Sequence, residues 1–359
     1  MTLLAYEDLS VTLPGTARPI LDGISLSISA GETVALVGES GSGKSVTARA
    51  ALGLFPAGAE VSGRVRVDGT DLVGADTASL REVRTNKAAM IYQDPRAAIN
   101  PVHRVGDFLT EPLRRVHGWS KDQANARAVE LLGAAGLPDP ARHMKQYPHE
   151  LSGGMLQRVV IAAALTAEPR LLLCDEPTTA LDVSTQAEIL AVLGRLRRER
   201  GLGLLLITHD IELAAAVGDR IYVMYAGRIV ETAPVAELFS HPRHPYTAGL
   251  LGSSPPLEGP LGRLTPIPGA PMGLLESAPG CAFAPRCRFA EPGRCDQSPP
   301  PLLRHGPAEV ACHRAAELDG SGPPAPVQPA PVQPAPAQPA PARPVSAEPV
   351  SIQPSKEGN

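Results

Sequence analysis

The sequence predicts an α/β fold around a largely parallel sheet, on the basis of three observations. Residues 1–240 alternate short apolar strand segments with helix-length amphipathic segments, which is the pattern of such a sheet covered by helices. Three of those strand segments lead directly into glycine-rich or polar residues, as expected where ligands bind at the carboxyl edge of the sheet. From residue 241 onward prolines, glycines and cysteines dominate, so we expect a small Cys-containing C-terminal domain at 241–316 and a tail at 317–359.

The overall charge and hydropathy argue against direct binding to nucleic acid or lipid. The formal net charge is −4 over 359 residues, whereas nucleic-acid-binding domains are typically basic. The N-terminal residues lack the basic-then-apolar layout of a secretory signal, and no apolar run reaches the roughly 18 to 20 residues that span a bilayer. We therefore expect no nucleic-acid partner, and we expect any action at a membrane to require a partner protein.

The first segment with clear chemistry is GESGSGKS, which follows the strand segment TVALV and precedes a helical segment. This order of strand, glycine-rich loop and helix is the context that a P-loop requires. The glycines let backbone N–H groups surround phosphate oxygens, Lys44 reaches the terminal phosphates, and the Ser45 hydroxyl binds Mg²⁺. The predicted nucleotide-binding residues of the loop are Gly38, Glu39, Ser40, Gly41, Ser42, Gly43, Lys44 and Ser45. The chain is therefore expected to bind a nucleoside triphosphate.

Two further strand segments also end in polar residues. LLLCDEPTTALD carries Asp175, placed to hold Mg²⁺, and Glu176, placed to polarise an attacking water. LLLITHD carries His209, whose imidazole could contact a γ-phosphate and orient that water. Cys174, just before the acids, is interpreted as a small core residue. The three strand ends are expected to converge on one phosphate site.

A second phosphate-binding element is predicted at LSGGMLQR, residues 151–158. Ser152 is a plausible N-cap, and the helix that follows opens on two glycines. One chain would then hold two separate phosphate-binding elements. The economical interpretation is that the second element serves a nucleotide held by a partner subunit, so that two nucleotides lie between two subunits.

These segments together resemble a known family. GESGSGKS, Gln93 in IYQDPRAAINP, LSGGMLQR, LLLCDEPTTALD and ITHD resemble the ATP-binding subunits of ABC transporters. TALDV, MYAGRIVE and HPYTAGLL resemble the branch that energises dipeptide, oligopeptide and nickel importers. The resemblance covers about residues 3 to 315. It implies a P-loop ABC ATPase with a RecA-like parallel-sheet core and a helical subdomain at about 95–165, which couples ATP hydrolysis to import.

The resemblance also implies roles for individual residues. Gln93 would contact Mg²⁺ or the water and couple to the membrane subunit, Glu176 would be the catalytic base and His209 the switch. Ser45, Gln93 and Asp175 would hold Mg²⁺, and Asp182 would bridge the dimer interface. A signature segment would contact the partner's ATP; its residues are Leu151, Ser152, Gly153, Gly154 and Met155.

The partners implied by the resemblance place the chain at the cytoplasmic face of the cell membrane. They are a second ABC ATPase subunit, homologous or identical, two transmembrane permease subunits and, indirectly, an extracytoplasmic substrate-binding protein. The cargo stays open between dipeptide, oligopeptide and nickel. Two alternatives remain: a non-transport ABC ATPase, for which the interval between P-loop and Ser152 lacks a coiled-coil insertion or zinc module, and a metal-sensing regulatory ATPase.

The sequence departs from the family pattern at two positions. Leu13 stands where an aromatic residue that stacks on adenine is expected, so either stacking is weak or Tyr6 takes that role. Met155 stands where the signature more often has Gln. Neither departure touches the phosphate chemistry.

Four cysteines lie near the C-terminus: Cys281, Cys287, Cys295 and Cys312. Disulfides are disfavoured among cytoplasmic reductants, and the spacing lacks the close cysteine pairs of common zinc sites. Broad, loop-supplied spacing suits a 4Fe-4S cluster, and the peptide branch looks similar here. Zinc and free thiols are the alternatives, and a structural role is favoured over redox sensing. With little core of its own, this segment is expected to draw its folding energy from the metal.

Two proline-rich segments receive structural interpretations. The prolines of HPRHPY predict a rigid turn in which His241 and His244 are not metal ligands. From Gly320 onward Pro-Ala-Pro units repeat with almost no apolar bulk, so the tail is predicted to stay disordered as a tether, with partner docking as the alternative.

Overall fold

Two sheets and twelve α-helices make up the part of the chain that the structure, a computed structural model, describes. The described residues are 1–179, 181–254, 264–276 and 279–318. The strands are β1 Thr2–Thr12, β2 Pro19–Ser29, β3 Thr33–Val37, β4 Glu60–Val67, β5 Thr70–Asp71, β6 Ala88–Ile91, β7 Leu171–Asp175, β8 Gly203–Thr208, β9 Arg220–Tyr225, β10 Arg228–Pro234, β11 Leu303–His305 and β12 Ala308–Val310.

The helices fill the intervals between strands. They are α1 Lys44–Ala50, α2 Thr77–Asn86, α3 Pro95–Ala98, α4 Val105–Arg115, α5 Lys121–Ala134, α6 Pro140–His143, α7 Gly153–Ala164, α8 Val183–Arg200, α9 Ile211–Val217, α10 Val235–Ser240, α11 Pro245–Ser253 and α12 Ala315–Leu318. Short 3-10 turns cover Pro148–Glu150, Leu165–Ala167, Leu274–Glu276 and Ala284–Arg286. None of these described helices is both long and apolar enough to cross a membrane.

The main sheet has the order β11-β12-β10-β9-β3-β8-β7-β6. Its central strands β9, β3, β8, β7 and β6 run parallel to one another, as the sequence predicts. Every residue of β3, β7 and β8 is buried. One face of β7 and β8 packs on helices α5, α7 and α8, and the other face packs on α1 and on strands β1, β2 and β4. The three predicted polar strand ends therefore emerge at one edge of the sheet.

A second, antiparallel sheet of order β2-β1-β4-β5 stands beside the first and is absent from the sequence prediction. β1 pairs with β2 and β4, and its residues alternate imperfectly between buried and exposed. Register shifts near Glu7 and Leu9 interrupt that alternation, which explains why periodicity alone did not reveal the sheet.

Helices α3 to α7 occupy residues Pro95–Ala164, the interval in which a helical subdomain is predicted. Their apolar faces share a hydrophobic cluster with β7, β8 and α8, which includes Leu109, Leu131 and Ile161. Cys174, 1% exposed, lies in the same cluster and is a core residue as expected.

The Cys-containing segment shares a sheet and an apolar core with the preceding part of the chain. β12 pairs with β10 and so extends the main sheet. Phe283 is 3% exposed and packs on Tyr225 and Tyr246, with ring centroids 5.3 Å apart in each pair. The described residues belong to one compact unit. The segment therefore has an apolar core because it shares that of its neighbour.

Candidate functional site

The P-loop (Gly38–Ser45) joins β3 to α1 and lies close against neighbouring backbone. A side chain at Gly38 would collide with the Met224 carbonyl oxygen. Gly43 has φ +105°, and a Cβ there would lie 2.7 Å from Leu21 Cδ2. Both positions therefore need glycine, the first for close approach and the second also for its left-handed backbone.

Lys44 points back into the loop that precedes it. Its Nζ donates hydrogen bonds to the carbonyl oxygens of Gly38 at 2.8 Å and Glu39 at 2.9 Å. Burial lowers the pKa of Lys44, while the nearby carboxylates of Glu176, Asp175 and Glu39 act in the opposite direction. The Lys44 ammonium group therefore lies among acidic side chains, in the loop where its positive charge would neutralise a bound phosphate.

Ser45 and Asp175 form the predicted pair for Mg²⁺. The Ser45 hydroxyl donates to Asp175 Oδ1 at 2.9 Å, although the residues are 130 positions apart. Asp175 is 4% exposed, and burial raises its pKa, partly offset by the Ser45 hydrogen bond. Two hard oxygen ligands at one sheet edge fit the ligand preference of Mg²⁺.

Glu176 has an unusual backbone and an occupied carboxylate. Its φ is +48°, a left-handed conformation that costs about 1 kcal/mol or more for a residue with a Cβ. Oε2 accepts from Gln93 Nε2 at 3.1 Å and from Thr179 Oγ1 at 2.8 Å. His209 Nδ1 lies 3.4 Å from the same oxygen. Side chains from three segments of the chain therefore meet at one carboxylate oxygen.

This arrangement includes two contacts that the sequence did not predict. Gln93, predicted to join Ser45 and Asp175 around Mg²⁺, donates to Glu176 in this structure, and its role at Mg²⁺ stays a prediction. Thr179, which sequence reasoning missed, lies three residues after the glutamate and donates to it. The run of two threonines in DEPTT was the available signal, since a hydroxyl in a tight turn often bonds a carboxylate just before it.

The signature segment begins α7 beside the start of α8. The Ser152 hydroxyl accepts from the Met155 N–H at 3.3 Å and so caps α7, as predicted. Asp182 caps α8 by accepting from Thr185 N–H at 3.0 Å and from its hydroxyl at 2.8 Å, and these bonds lower the pKa of Asp182. A Cβ at Gly154 would lie 2.5 Å from Thr185 Cγ2. The two helix starts are neighbours.

The remaining signature residues lie around this start, with Leu151 9% exposed and Gly153 near Leu181. Within the described part of the chain, no hydrogen bond or ion pair joins the signature segment to the P-loop of the same chain. The two predicted phosphate-binding elements are separate, as sequence reasoning expects.

Tyr6 is not available to an adenine ring, so that alternative is wrong. Its side chain is 2% exposed in the core under the antiparallel sheet, and its hydroxyl donates to the Thr47 carbonyl at 2.6 Å. Burial raises the pKa of Tyr6 well above its usual range. Leu13, just after β1, is half-buried. Tyr6 therefore does not replace the aromatic residue that is expected to stack on adenine.

The four clustered cysteines line one small pocket, which we call the cysteine pocket; they are Cys281, Cys287, Cys295 and Cys312. All four are free thiols. Burial raises the pKa of Cys281 and Cys287 to about 11, and the neighbouring sulfurs add to the rise. Among the described residues, however, no three His, Cys, Asp or Glu side chains are placed to hold a metal ion.

The two histidines of HPRHPY have different surroundings. His244 is 1% exposed, and its Nδ1 accepts from the Tyr246 N–H at 3.1 Å at the start of α11. Burial lowers the pKa of His244 to about 3. His241 is exposed and bonds Ser240 Oγ at 2.9 Å. One ring caps a helix and the other faces solvent, consistent with a structural turn.

Two families of proteins match separate parts of this chain. The ABC transporter family matches residues 21–179, which include the P-loop, Gln93 and the signature segment. The oligopeptide/dipeptide transporter C-terminal region matches residues 230–295, which include three of the four clustered cysteines. The matches therefore cover the candidate ATP site apart from His209, together with three of the four cysteines of the cysteine pocket.

Individual relatives agree with those families. An oligopeptide transport ATP-binding protein of Mycobacterium tuberculosis (strain ATCC 25618 / H37Rv) is 49% identical over 320 residues, or 88% of this chain. The chain spans about half the length of that relative, 51%. An oligopeptide transport ATP-binding protein of Haemophilus influenzae is 44% identical over 270 residues, covering 75% of this chain and 84% of the relative.

A solved structure shows the same fold. The dimeric structure of a bacterial ABC transporter cassette covers 65% of this chain and 99% of its own, with a TM-score of 0.57 and 29% sequence identity. Its P-loop ABC ATPase fold is therefore that of the present chain. Together with the identities above, this means that the chain belongs to the ATP-binding proteins of ABC transporters, in the branch that carries the oligopeptide/dipeptide transporter C-terminal region.

Proposed function

We propose that this chain binds ATP with Mg²⁺ at the P-loop, hydrolyses it with Glu176 as general base, and thereby drives import of peptides through a membrane permease. The observation that carries the proposal is the shared Glu176 oxygen, which lies within 3.1 Å of both Gln93 Nε2 and Thr179 Oγ1. A carboxylate fixed in this way near the P-loop lysine is suited to accept a proton from an attacking water.

In the proposed reaction Lys44 exchanges its two loop carbonyls for terminal phosphate oxygens. Ser45 and Asp175 would hold Mg²⁺, which neutralises phosphate charge when bound. Glu176 accepts a proton as the water oxygen bonds to the γ-phosphorus, and the bond from that phosphorus to the ADP oxygen breaks. The products are ADP and inorganic phosphate. His209 orients the attacking water and contacts the γ-phosphate.

The proposed working form has two cassettes, with each ATP held between one chain's P-loop and the other chain's signature segment. Three observations support this. The signature segment is separate from its own P-loop, its Ser152 is exposed, and Val183 beside Asp182 is 82% exposed. The similar ABC transporter cassette is itself described as dimeric. Asp182 would then lie at the interface, and the second cassette could be an identical or a homologous chain.

A groove next to Gln93 is the proposed docking site for the permease. It has a volume of about 320 Å³ and is lined by apolar side chains that include Leu54, Tyr92 and Val116. Each of these three is at least 38% exposed. A short helix of a permease subunit fits such a groove, and Gln93 would carry its movement to Glu176. Two permease subunits, one for each cassette, would place this chain at the cytoplasmic face of the membrane.

Peptides are the proposed cargo because both curated relatives described above are named for oligopeptide transport. Selection of a di- or oligopeptide, or of nickel, would rest with the permease and an extracytoplasmic binding protein. Uptake of labelled peptides and of nickel by cells that carry either the wild-type chain or Glu176→Gln would test this. Loss of nickel uptake with intact peptide uptake would overturn the peptide assignment.

We also propose that the cysteine pocket binds a 4Fe-4S cluster, with zinc as the alternative. Four soft sulfur donors line this pocket, and such donors select iron–sulfur clusters or zinc. In the described residues no three of these donors are placed around one metal ion. A single zinc ion would need all four sulfurs about 2.3 Å from one centre, whereas the several irons of a cluster would accept more widely spaced sulfurs. When bound, the cluster would cross-link the loops that carry the thiols.

The two metal assignments differ in colour and composition. Protein purified without oxygen should be brown, absorb near about 400 nm and contain iron and sulfide in stoichiometric amounts. A colourless protein with one equivalent of zinc would contradict the cluster. Serine substitutions at two of the cysteines should remove the absorption band.

The ATPase proposal is tested by Mg²⁺-dependent phosphate release from the purified chain. Lys44→Ala should abolish hydrolysis and weaken ATP binding, because the lysine contacts the transferred phosphate. Lys121→Ala, on an exposed helix start, is the matched control and should behave as wild type. Hydrolysis that survives Lys44→Ala would overturn the proposal.

A further inference from the structure

An arginine of the Cys-containing segment contacts the P-loop directly. Arg286, which ends the 3-10 turn before Cys287, donates from one terminal nitrogen to Glu39 Oε2 at 2.6 Å and from the other to Oε1 at 3.0 Å. The pair is 247 positions apart in sequence. Its two parallel bonds form the bidentate geometry in which an arginine–carboxylate pair is strongest.

The guanidinium is fixed from several sides. Its Nε donates to the Pro268 carbonyl at 2.7 Å, and a terminal nitrogen donates to the Tyr225 hydroxyl at 3.3 Å. The group lies 5.8 Å and 5.9 Å from the ring centroids of Tyr225 and Phe283. Arg286 is 7% exposed. It is therefore a preorganised anchor rather than a mobile surface side chain.

Glu39 connects this anchor to the catalytic lysine. Its N–H donates to the Tyr246 hydroxyl at 2.9 Å, and its carbonyl accepts from Lys44 Nζ at 2.9 Å. The carboxylate of Glu39 acts electrostatically on Lys44. An unneutralised carboxylate here would repel the phosphates of ATP, since like charges this close interact strongly in a partly desolvated site.

We propose that Arg286 is a positioning residue for the P-loop, which neutralises Glu39 and fixes the loop so that the triphosphate can bind. The inference rests on the proposed function, because it assumes that ATP occupies the P-loop. It makes nucleotide affinity depend on a residue of the Cys-containing segment. The segment then belongs to the nucleotide site as well as to the fold.

A double-mutant cycle on the full chain tests this, with Kd for Mg-ATP measured by calorimetry. Arg286→Ala should weaken binding about tenfold, as expected for loss of a charge-assisted pair. In a Glu39→Gln background the same change should alter Kd by less than about twofold, because the charge to be neutralised is gone. Arg286→Lys should recover part of the affinity. KM for ATP should rise while kcat stays near wild type.

Arg304→Ala is the matched control, an exposed arginine of the same segment on β11, and should leave Kd unchanged. Thermal unfolding of each variant checks the fold, and if Arg286→Ala does not fold, the cycle is run with Arg286→Lys. An unchanged Kd for Arg286→Ala would overturn the inference. So would an equal loss of Mg-ATP affinity in the wild-type and Glu39→Gln backgrounds. A wild-type chain that binds no Mg-ATP would instead overturn the proposed function.

Discussion

Glu176 combines a left-handed backbone with a carboxylate that contacts side chains from three segments. The backbone N–H donates to the Ile207 carbonyl at 3.0 Å, which ties the turn after β7 to β8. The Thr179 hydroxyl, 2.8 Å from Oε2, holds the carboxylate from within the same turn. The orientation of the proposed base is therefore set by backbone and side chain together, and changing its charge should leave the fold intact.

Glu176→Gln should separate ATP binding from hydrolysis. The amide keeps the size of the side chain but cannot accept the proton, so kcat should fall by about 10²- to 10⁴-fold while Kd for Mg-ATP stays near wild type. Phosphate release and calorimetry measure the two quantities. Glu199→Gln, an exposed carboxylate near the end of α8, is the control and should keep full activity. Equal hydrolysis by Glu176→Gln would exclude this residue as the base.

His244 should make the fold lose stability in mild acid. Its pKa in the folded chain is about 3, below the ordinary 6.5, so the unfolded chain binds more protons between those values. The free energy of unfolding should thus fall as pH drops from about 6.5, by up to about 1.4 kcal/mol per pH unit. Burial raises the pKa of neighbouring Glu231, so this carboxyl makes the free energy of unfolding rise as pH falls. Glu231 is present in both the wild type and the His244 variant, so its effect is common to the two.

The comparison is between wild type and His244→Asn, whose side-chain oxygen can still cap α11. Urea unfolding at a series of pH values should give a shallower decline for the variant below about pH 6. Parallel curves for the two proteins would show that the ring is not neutral in the folded chain.

Strand-end residues were the ones that sequence could predict. Asp175 ends the buried strand β7, and Ser45 lies at the start of α1, just after the loop that follows buried β3. Because the carboxyl ends of parallel strands meet at one edge, the contact between these two residues at 2.9 Å follows from the sequence pattern. Arg286 could not be predicted, because its partner Glu39 is 247 positions away. Tyr6 was misjudged for a related reason: which face of β1 is covered depends on the second sheet, which periodicity did not reveal.

At the scale of elements, the neighbouring starts of α7 and α8 form a small constrained unit. Gly154 lies against Thr185, and that threonine is held by two hydrogen bonds to Asp182. The predicted signature segment and the predicted interface residue are therefore mechanically connected. A substitution at the start of one helix should therefore disturb the packing at the start of the other.

Gly154→Ala and Gly153→Ala should differ in stability. The new Cβ at 154 would lie 2.5 Å from Thr185 Cγ2, whereas at 153 it would lie 3.3 Å from Leu181 Cδ2. Overpacking of this kind costs about 1–3 kcal/mol, so the first variant should lower the free energy of unfolding and the second should change it little. Urea unfolding at neutral pH measures both. A larger loss for Gly153→Ala would contradict the packing seen here.

Elements of regular pattern were predictable, and short or irregular ones were not. The fully buried and mostly apolar strands β3, β7 and β8 follow from their sequences, as does the 12-residue helix α7. The hairpin of β11 and β12 has three residues in each strand, too few for a periodic signal. Its pairing to β10 is a tertiary contact, and it is what joins the Cys-containing segment to the main sheet.

For the whole molecule, the shared sheet and core make the Cys-containing segment part of the ATPase unit. A contiguous cluster of apolar side chains includes Val37 before the P-loop, Tyr246 of α11 and Val310 of β12. The cysteine pocket, the Arg286 anchor and the P-loop therefore lie on one continuous body. The tail is predicted at 317–359, but Glu317 and Leu318 belong to α12. Residues 319–359 lie outside the described residues, so the interpretation of the tail as a tether stays a prediction.

The central claim is that a second cassette completes each ATP site, and sedimentation of the Glu176→Gln chain with Mg-ATP tests it most directly. We expect this chain to form a dimer with the nucleotide and to remain monomeric without it. Adding Ser152→Ala should abolish the dimer, while Ser120→Ala, which removes the N-cap of α5, should not. A strictly monomeric wild-type chain that hydrolyses ATP at full rate, with or without Ser152, would contradict the account.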